Sequence, residues 1–319
     1  MAGTLIVSLD FELFWGMLDV CPLDDYREHV LGGRRAIPEL LSLFEKYGIH
    51  ATWAAVGFQF GKDAQEVLAF APAKEDRPTY DNPALDPYGT LEHIRAEDAD
   101  CFFAPELVEL VAKAPDQELG SHTFCHYYCR EKGQTPAQFA ADLRAAQAIA
   151  REKGFALTSL VLPRNESEPE YIALLPELGF TAYRSEERDW IHRIPVRPLL
   201  RALRLLDVYL PLTGQGGYIP QKENGVWNLT GSRAFKTIRP ALRPFEGLKM
   251  ARIKGQMRHA AKKGLTFHLW WHPHNLGVNT REHLQELEEL LQYYVQLKEQ
   301  YGMQSLNMGE AARRLEESK

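Results

Sequence analysis

Cysteine is scarce in this 319-residue chain: Cys21, Cys101, Cys125 and Cys129 are the whole supply, and their irregular spacing is not the framework of a disulfide-stapled domain. Reduced thiols are the simpler expectation. Positive charge is also in deficit, 37 Lys and Arg against 43 Asp and Glu. A formal net charge of -6 argues against an affinity resting on phosphate neutralisation, so no nucleic acid is expected as a partner. Long apolar runs are missing as well, and nothing approaches the roughly 18 uninterrupted residues of a membrane span. The opening MAGTLIVSLDFE lacks the basic start and cleavage site of a secretory signal. The expectation is a cytoplasmic protein with no membrane span. Internal repeats and low-complexity tracts are absent too.

What is present reads as a parallel α/β protein. Residues 4–9 (TLIVSL) form a buried strand that delivers Asp10 and Glu12 at its C-terminal end. A helical stripe over 30–47, closed by Gly48, leads to a second strand at 49–57. Further strand and helix units follow at 117–121 and 136–153, 158–162 and 167–178, then 180–184. The last part reads as a helix at 247–263, a strand at 266–271, a helix at 280–300, a short strand and a terminal helix. Two stretches, about 71–103 and 189–243, lack a period and read as irregular insertions in a single domain of residues 1–319. Such folds place their chemistry at strand C-termini, and the polar motifs sit there.

Three clusters carry that chemistry. In GSHTFCH, His122 and His126 stand four apart, so one helical turn would aim both imidazoles the same way. SLDFE adds two carboxylates, Asp10 and Glu12, on one side of a strand. HLWWHPHN brings His268, His272, His274 and Asn275 to the end of an apolar strand, where a histidine could protonate a leaving amine. Each has a plainer explanation alone, and Cys125 with Cys129 could instead complete a closed structural zinc site with the histidines. A basic stretch, Arg233 to Lys263, fits the solvated face of a helix better than an anion site.

The ordered set SLDFE, GSHTFCH, LPRNE, RDW and LWWHPHN resembles the five motifs of the polysaccharide deacetylases, carbohydrate esterase family 4, over residues 8–275. The resemblance implies a distorted (β/α) barrel of about seven parallel strands. It implies Asp10 as general base, and Glu12, His122 and His126 as ligands of Zn2+ or of another transition metal such as Co2+ or Ni2+. His272 becomes the general acid, oriented by Asp189. Trp190 walls the acetyl pocket, and Trp270, His274 and Asn275 also face the substrate. The chain departs from the family twice. Its opening is acidic-x-acidic, and Val161 stands where an arginine normally orients the base. Arg164 then offers its backbone N–H to the oxyanion, and either Arg164 or Arg184 would have to replace the missing side chain. The implied activity is removal of an N-acetyl group from a sugar or glycan intermediate. The rivals are an amidase on a non-sugar C–N bond and a non-catalytic carbohydrate-binding protein. If the substrate rides on an anionic carrier, Arg239, Arg243 and Lys249 of the basic stretch would suit it.

Overall fold

The computed structural model describes residues 2–186, 189–191 and 194–318. Its frame is a set of strands, β1 (Thr4–Phe11), β2 (Ala51–Ala55), β3 (Gln117–Ser121), β4 (Ser159–Val161), β5 (Ala182–Arg184), β6 (Gln221–Glu223), β7 (Val226–Asn228), β8 (Arg233–Ala234), β9 (Thr266–Trp271) and β10 (Gln304–Ser305). Their order is β6-β7-β5-β4-β3-β2-β1-β9-β8, with β10 beside β1 and every pair parallel except β6 with β7.

The alternation of β1 divides the core. Leu5, Val7, Leu9 and Phe11 face the surrounding helices, while Ile6 joins a second apolar cluster with Ala54, Val161, Ala182, Leu229 and Met308. Outside, the helix Leu23–Tyr47 buries Ile37, Leu40, Leu41 and Phe44 along one stripe. Each such side chain contributes roughly 1.5–3 kcal/mol. Gly48, left-handed at φ 61°, ends that helix. Below, the C-terminal helix Met308–Glu317 closes the barrel with Met308, Ala311 and Ala312, its first turn fixed by an Asn307–Glu310 capping box.

The stretch 189–243, read from sequence as an insertion, holds a stave of the barrel. Trp227, Leu229 and Gly231 donate to the carbonyls of Thr181, Tyr183 and Ser185, and then Ser232 and Phe235 donate to those of His268 and Trp270. One run of chain thus bonds first to β5 and then to β9, and the sheet curls back onto itself. With β1, β2, β3, β4, β5 and β9, this run makes seven staves. Short strands interrupted by Thr230-Gly231-Ser232 gave it no readable period.

The basic stretch is also not one face. Lys249 and Arg252 point inward, Lys249 to Glu246 and Glu286, Arg252 to Asp207. The 71–103 excursion folds into short turns and one helix, Pro87–Glu92. Its end holds the loop after β1, since Phe102 accepts the Trp15 indole N–H at 2.8 Å and Cys101 accepts the Phe14 N–H at 3.1 Å. No helix among the described residues is long and apolar enough to cross a membrane.

Candidate active site

Four strand ends converge on one point. β1 supplies Asp10 and, one residue past its end, Glu12; β3 leads into His122, β5 ends at Arg184, and β9 leads into His272. The His122–His126 segment is not the helical turn its spacing predicts. Thr123 and His126 are both left-handed, at φ 65° and 61°, and the loop doubles back so that both imidazoles reach Glu12. Their Nε2 atoms lie 3.1 and 3.0 Å from Glu12 Oε2. The loop is pinned from outside by Asp142, which accepts the N–H groups of Phe124 (2.6 Å) and Cys125 (3.2 Å). Five of the eight non-glycine residues with positive φ among the described residues, Leu13, Thr123, His126, Arg164 and Asn165, flank this point. Such conformations persist where surrounding contacts impose them.

The donor set fits a divalent metal. His122 Nδ1 faces the Val161 carbonyl at 2.8 Å, and since a carbonyl only accepts, Nδ1 carries the proton and Nε2 presents its lone pair. That lone pair meets a carboxylate, an arrangement that calls for a cation between them. The three side chains are buried, with ligand atoms within 4.8 Å of one another. Burial is the foremost influence on His126 and holds it below the usual imidazole range, in the neutral form a ligand needs. For Glu12, burial opposes ionisation but is outweighed by His272 and by the close His122 and His126 imidazoles, so its carboxyl lies well below the ordinary range. Cys125 and Cys129 are buried free thiols outside this cluster, so a closed site with the histidines does not form. Burial pushes the Cys125 thiol well up, and Asp142 adds to it.

Asp10 has its own support. Arg184, 0% exposed, donates from Nη2 to Asp10 Oδ2 (2.7 Å), from Nη1 to Ser8 Oγ (2.8 Å) and from Nε to Asn165 Oδ1 (2.8 Å). Burial raises the Asp10 carboxyl, but the charge of Arg184, then His272 and His122, brings it below its ordinary value. Its other oxygen, Oδ1, is buried without a partner among the described residues. The arginine beside Asp10 is therefore Arg184, at the end of β5. The Arg164 side chain runs to Asp19 and Glu131 and lies over the Tyr128 ring. Ser8 and Asn165 were not singled out from sequence, although Ser8 shares the Asp10 face of β1 by its two-residue spacing.

His272 Nε2 stands 3.6 Å from Asp10 Oδ2 and 3.5 Å from Glu12 Oε1. Among the described residues, no hydrogen bond joins it to Asp189. The Asp189 carboxylate accepts the Ile191 N–H, and His272 Nδ1 meets the Asn275 amide at 3.3 Å instead. Asn275 thus packs behind His272. So does His274, 3% exposed, stacked on His272 with its Nε2 3.9 Å from Glu12. Burial, then the His272 charge, pushes His274 down to about 3. Trp270 borders the cluster, its ring under the Arg184 guanidinium and 5.8 Å from the His272 ring. Trp190 lies outside it, 51% exposed, donating to the Leu212 carbonyl. The RDW motif also includes Arg188, which lies outside the described residues.

Comparison with known proteins agrees with this architecture. The polysaccharide deacetylase family model matches residues 23–183. Among curated proteins none matches. Solved structures share the fold at low identity. One from Mycobacterium smegmatis, described as a polysaccharide deacetylase, is 14% identical with TM-score 0.62, over 100% of this chain and 92% of that one. A Pseudomonas aeruginosa PAO1 structure with the same description gives 14% and 0.57, over 97% and 89%. A Puue allantoinase gives 13% and 0.58, over 97% and 88%. With the family model covering half of its length and the fold matching throughout, this chain belongs to the polysaccharide deacetylase family.

Proposed function

We propose that the chain is a metal-dependent hydrolase that removes an N-acetyl group from a sugar or glycan intermediate and releases acetate. The observation that carries this reading is the convergence of an arginine-held carboxylate, a Glu-His-His ligand set and a histidine within 4 Å of both carboxylates. Glu12, His122 and His126 would hold the ion, which when bound supplies Lewis acidity to a carbonyl and lowers the pKa of water; two imidazoles and a carboxylate suit zinc.

The chain's own residues account for the proton transfers. Asp10 Oδ1, free of other partners, accepts a proton from the attacking water, while Arg184 keeps the carboxylate oriented and ionised. As the carbonyl carbon becomes tetrahedral, the N–H of Arg164, in the left-handed Arg164-Asn165 turn, would donate to the oxygen. His272 Nε2 then gives its proton to the departing nitrogen, the C–N bond breaks, and acetate and the amino sugar leave. Asn275 fixes the ring from its far side. Trp270 supplies an apolar wall for the acetyl methyl.

A second reading keeps the C–N hydrolysis and changes the substrate, since the allantoinase shares the fold. Both are separated by screening N-acetylated sugars and non-sugar amides with added Zn2+, Co2+ or Ni2+, scoring acetate and ammonia. Acetate from a sugar supports the first reading. Ammonia or amine without acetate supports the second, and metal-free protein with neither fits carbohydrate binding alone.

A further inference from the structure

One face of the molecule reverses the usual placement of leucine and charge. The helix Arg197–Tyr209 carries leucines at 199, 200, 203, 205 and 206, yet its only buried residue is Asp207. Asp207 accepts from Arg233 (2.7 Å), Arg252 (2.6 Å) and Thr213 (2.7 Å from its N–H), so an ion cluster, not an apolar stripe, fastens this helix to the barrel. The neighbouring helix Glu246–Lys263 starts the same way. Glu246 and Lys249 are buried 2.6 Å apart, while Phe245 and Leu248 stand 49% and 47% exposed. The two segments share a surface, because Tyr209 packs edge-on against Phe245 and hydrogen-bonds Glu246. Of the ten large apolar side chains exposed among the described residues, eight fall between 190 and 248. Six of the eight, Val196, Leu199, Leu206, Leu210, Phe245 and Leu248, lie on or beside these two segments, and an exposed apolar surface of this kind marks one that is covered in use.

Charge identifies the cover. Residues 194–248 contain eight Lys and Arg and three acids, Asp207, Glu223 and Glu246, in a chain of net charge -6. Asp207 and Glu246 are buried, whereas Arg197, Arg201, Arg204, Lys236 and Arg239 are exposed around the leucines. A two-fold dimer through this face would set like charges against each other. An anionic lipid surface meets both the arginines and the leucines.

We propose that this face seats the chain on an anionic phospholipid bilayer as a peripheral protein. The side chains of Val196, Leu199, Leu206, Leu210, Phe245 and Leu248 enter the interface, and the arginines meet the headgroups. Arg204 and Val208 line a cleft with Lys236 and Trp270, so the docked face adjoins the aromatic wall of the active site.

Flotation of the full chain with vesicles tests this. The chain is expected to float with phosphatidylcholine mixed with phosphatidylglycerol and not with phosphatidylcholine alone, and added salt weakens the association. Leu199→Ser with Leu206→Ser abolishes it, and Arg201→Glu with Arg204→Glu weakens it about tenfold or more. Thermal unfolding of both doubles stays at the parent midpoint because these side chains are exposed, and single variants repeat the test if a double does not fold. Failure to float with the anionic vesicles, or undiminished flotation of the leucine variant, overturns the proposal. A concentration-dependent dimer that the leucine variant dissociates also overturns it and assigns the face to a second copy.

Discussion

At the scale of single residues, the site depends on Arg184 more than its position suggests. Its fork reaches Asp10, Ser8 and Asn165 at once, so it fixes where the base points as well as its charge. Arg184→Met is expected to lower kcat about 100-fold or more through misplacement of the base, with metal content unchanged. Arg184→Lys keeps the charge, loses the fork and recovers only part of the rate. Steady-state kinetics with metal analysis checks both, and a loss of metal would move Arg184 from positioning the base to building the ligand set. The sequence showed that an arginine was missing and offered two replacements. Choosing between them required the direction of each side chain: Arg184 ends a strand and points inward, whereas Arg164 belongs to a left-handed turn and points out. Asp189 shows a related limit, since a motif places a residue near a site but does not say what its carboxylate meets, which among the described residues includes the Ile191 N–H.

At the scale of elements, Glu12, His122 and His126 are held by turns that their neighbours force into place. A Cβ on Gly16 would collide with the Glu12 carboxylate, so any side chain there would push that carboxylate out of its place beside His122 and His126. Gly16→Ala should weaken metal binding about 10- to 100-fold while leaving the secondary structure intact, as metal titration and circular dichroism would show. Wild-type affinity in that variant would mean Glu12 is not held by this turn. Asp142→Ala leaves the Phe124 and Cys125 N–H groups without their acceptor and should cost about 2–4 kcal/mol in urea unfolding. Strong strands and long helices were legible, β1, β9 and the helices at 136–153, 247–263 and 280–300 among them, because their apolar periods are long. The β7–β8 stave was not, being short and broken by Gly231. One signal was available: Asn224-Gly225, both at positive φ, makes the tight hairpin between β6 and β7. The histidine pair was legible as two imidazoles aimed the same way but not as a loop, because a spacing of four suits a helix and a doubled-back turn equally.

At the scale of the whole molecule, the barrel interior is layered, and its middle layer is polar. Ser8 accepts from Arg184, so its own hydrogen goes to His268 Nε2, and His268 Nδ1 donates to the Leu229 carbonyl. The network requires a neutral imidazole. Burial, with the Arg184 charge behind it, pushes His268 down to about 3 from an ordinary 6.5. Between those values the unfolded chain binds a proton here that the folded chain does not, so the contribution is complete above about pH 6.5 and is lost as pH falls toward 3. Urea midpoints at pH 7, 5 and 4 should fall accordingly, and His268→Gln should flatten the dependence; an unchanged slope would remove His268 as its source. The network joins this stability to Asp10, since Arg184 bonds both Ser8 and Asp10.

The central claim is that Asp10 is the base of a metal-dependent N-deacetylase, and acetate release by the zinc-loaded chain tests it most directly. The wild-type chain should release acetate from an N-acetylated sugar. Asp10→Asn should retain stoichiometric metal and lose that release by about 1000-fold or more. Acetate release that survives Asp10→Asn would contradict the account.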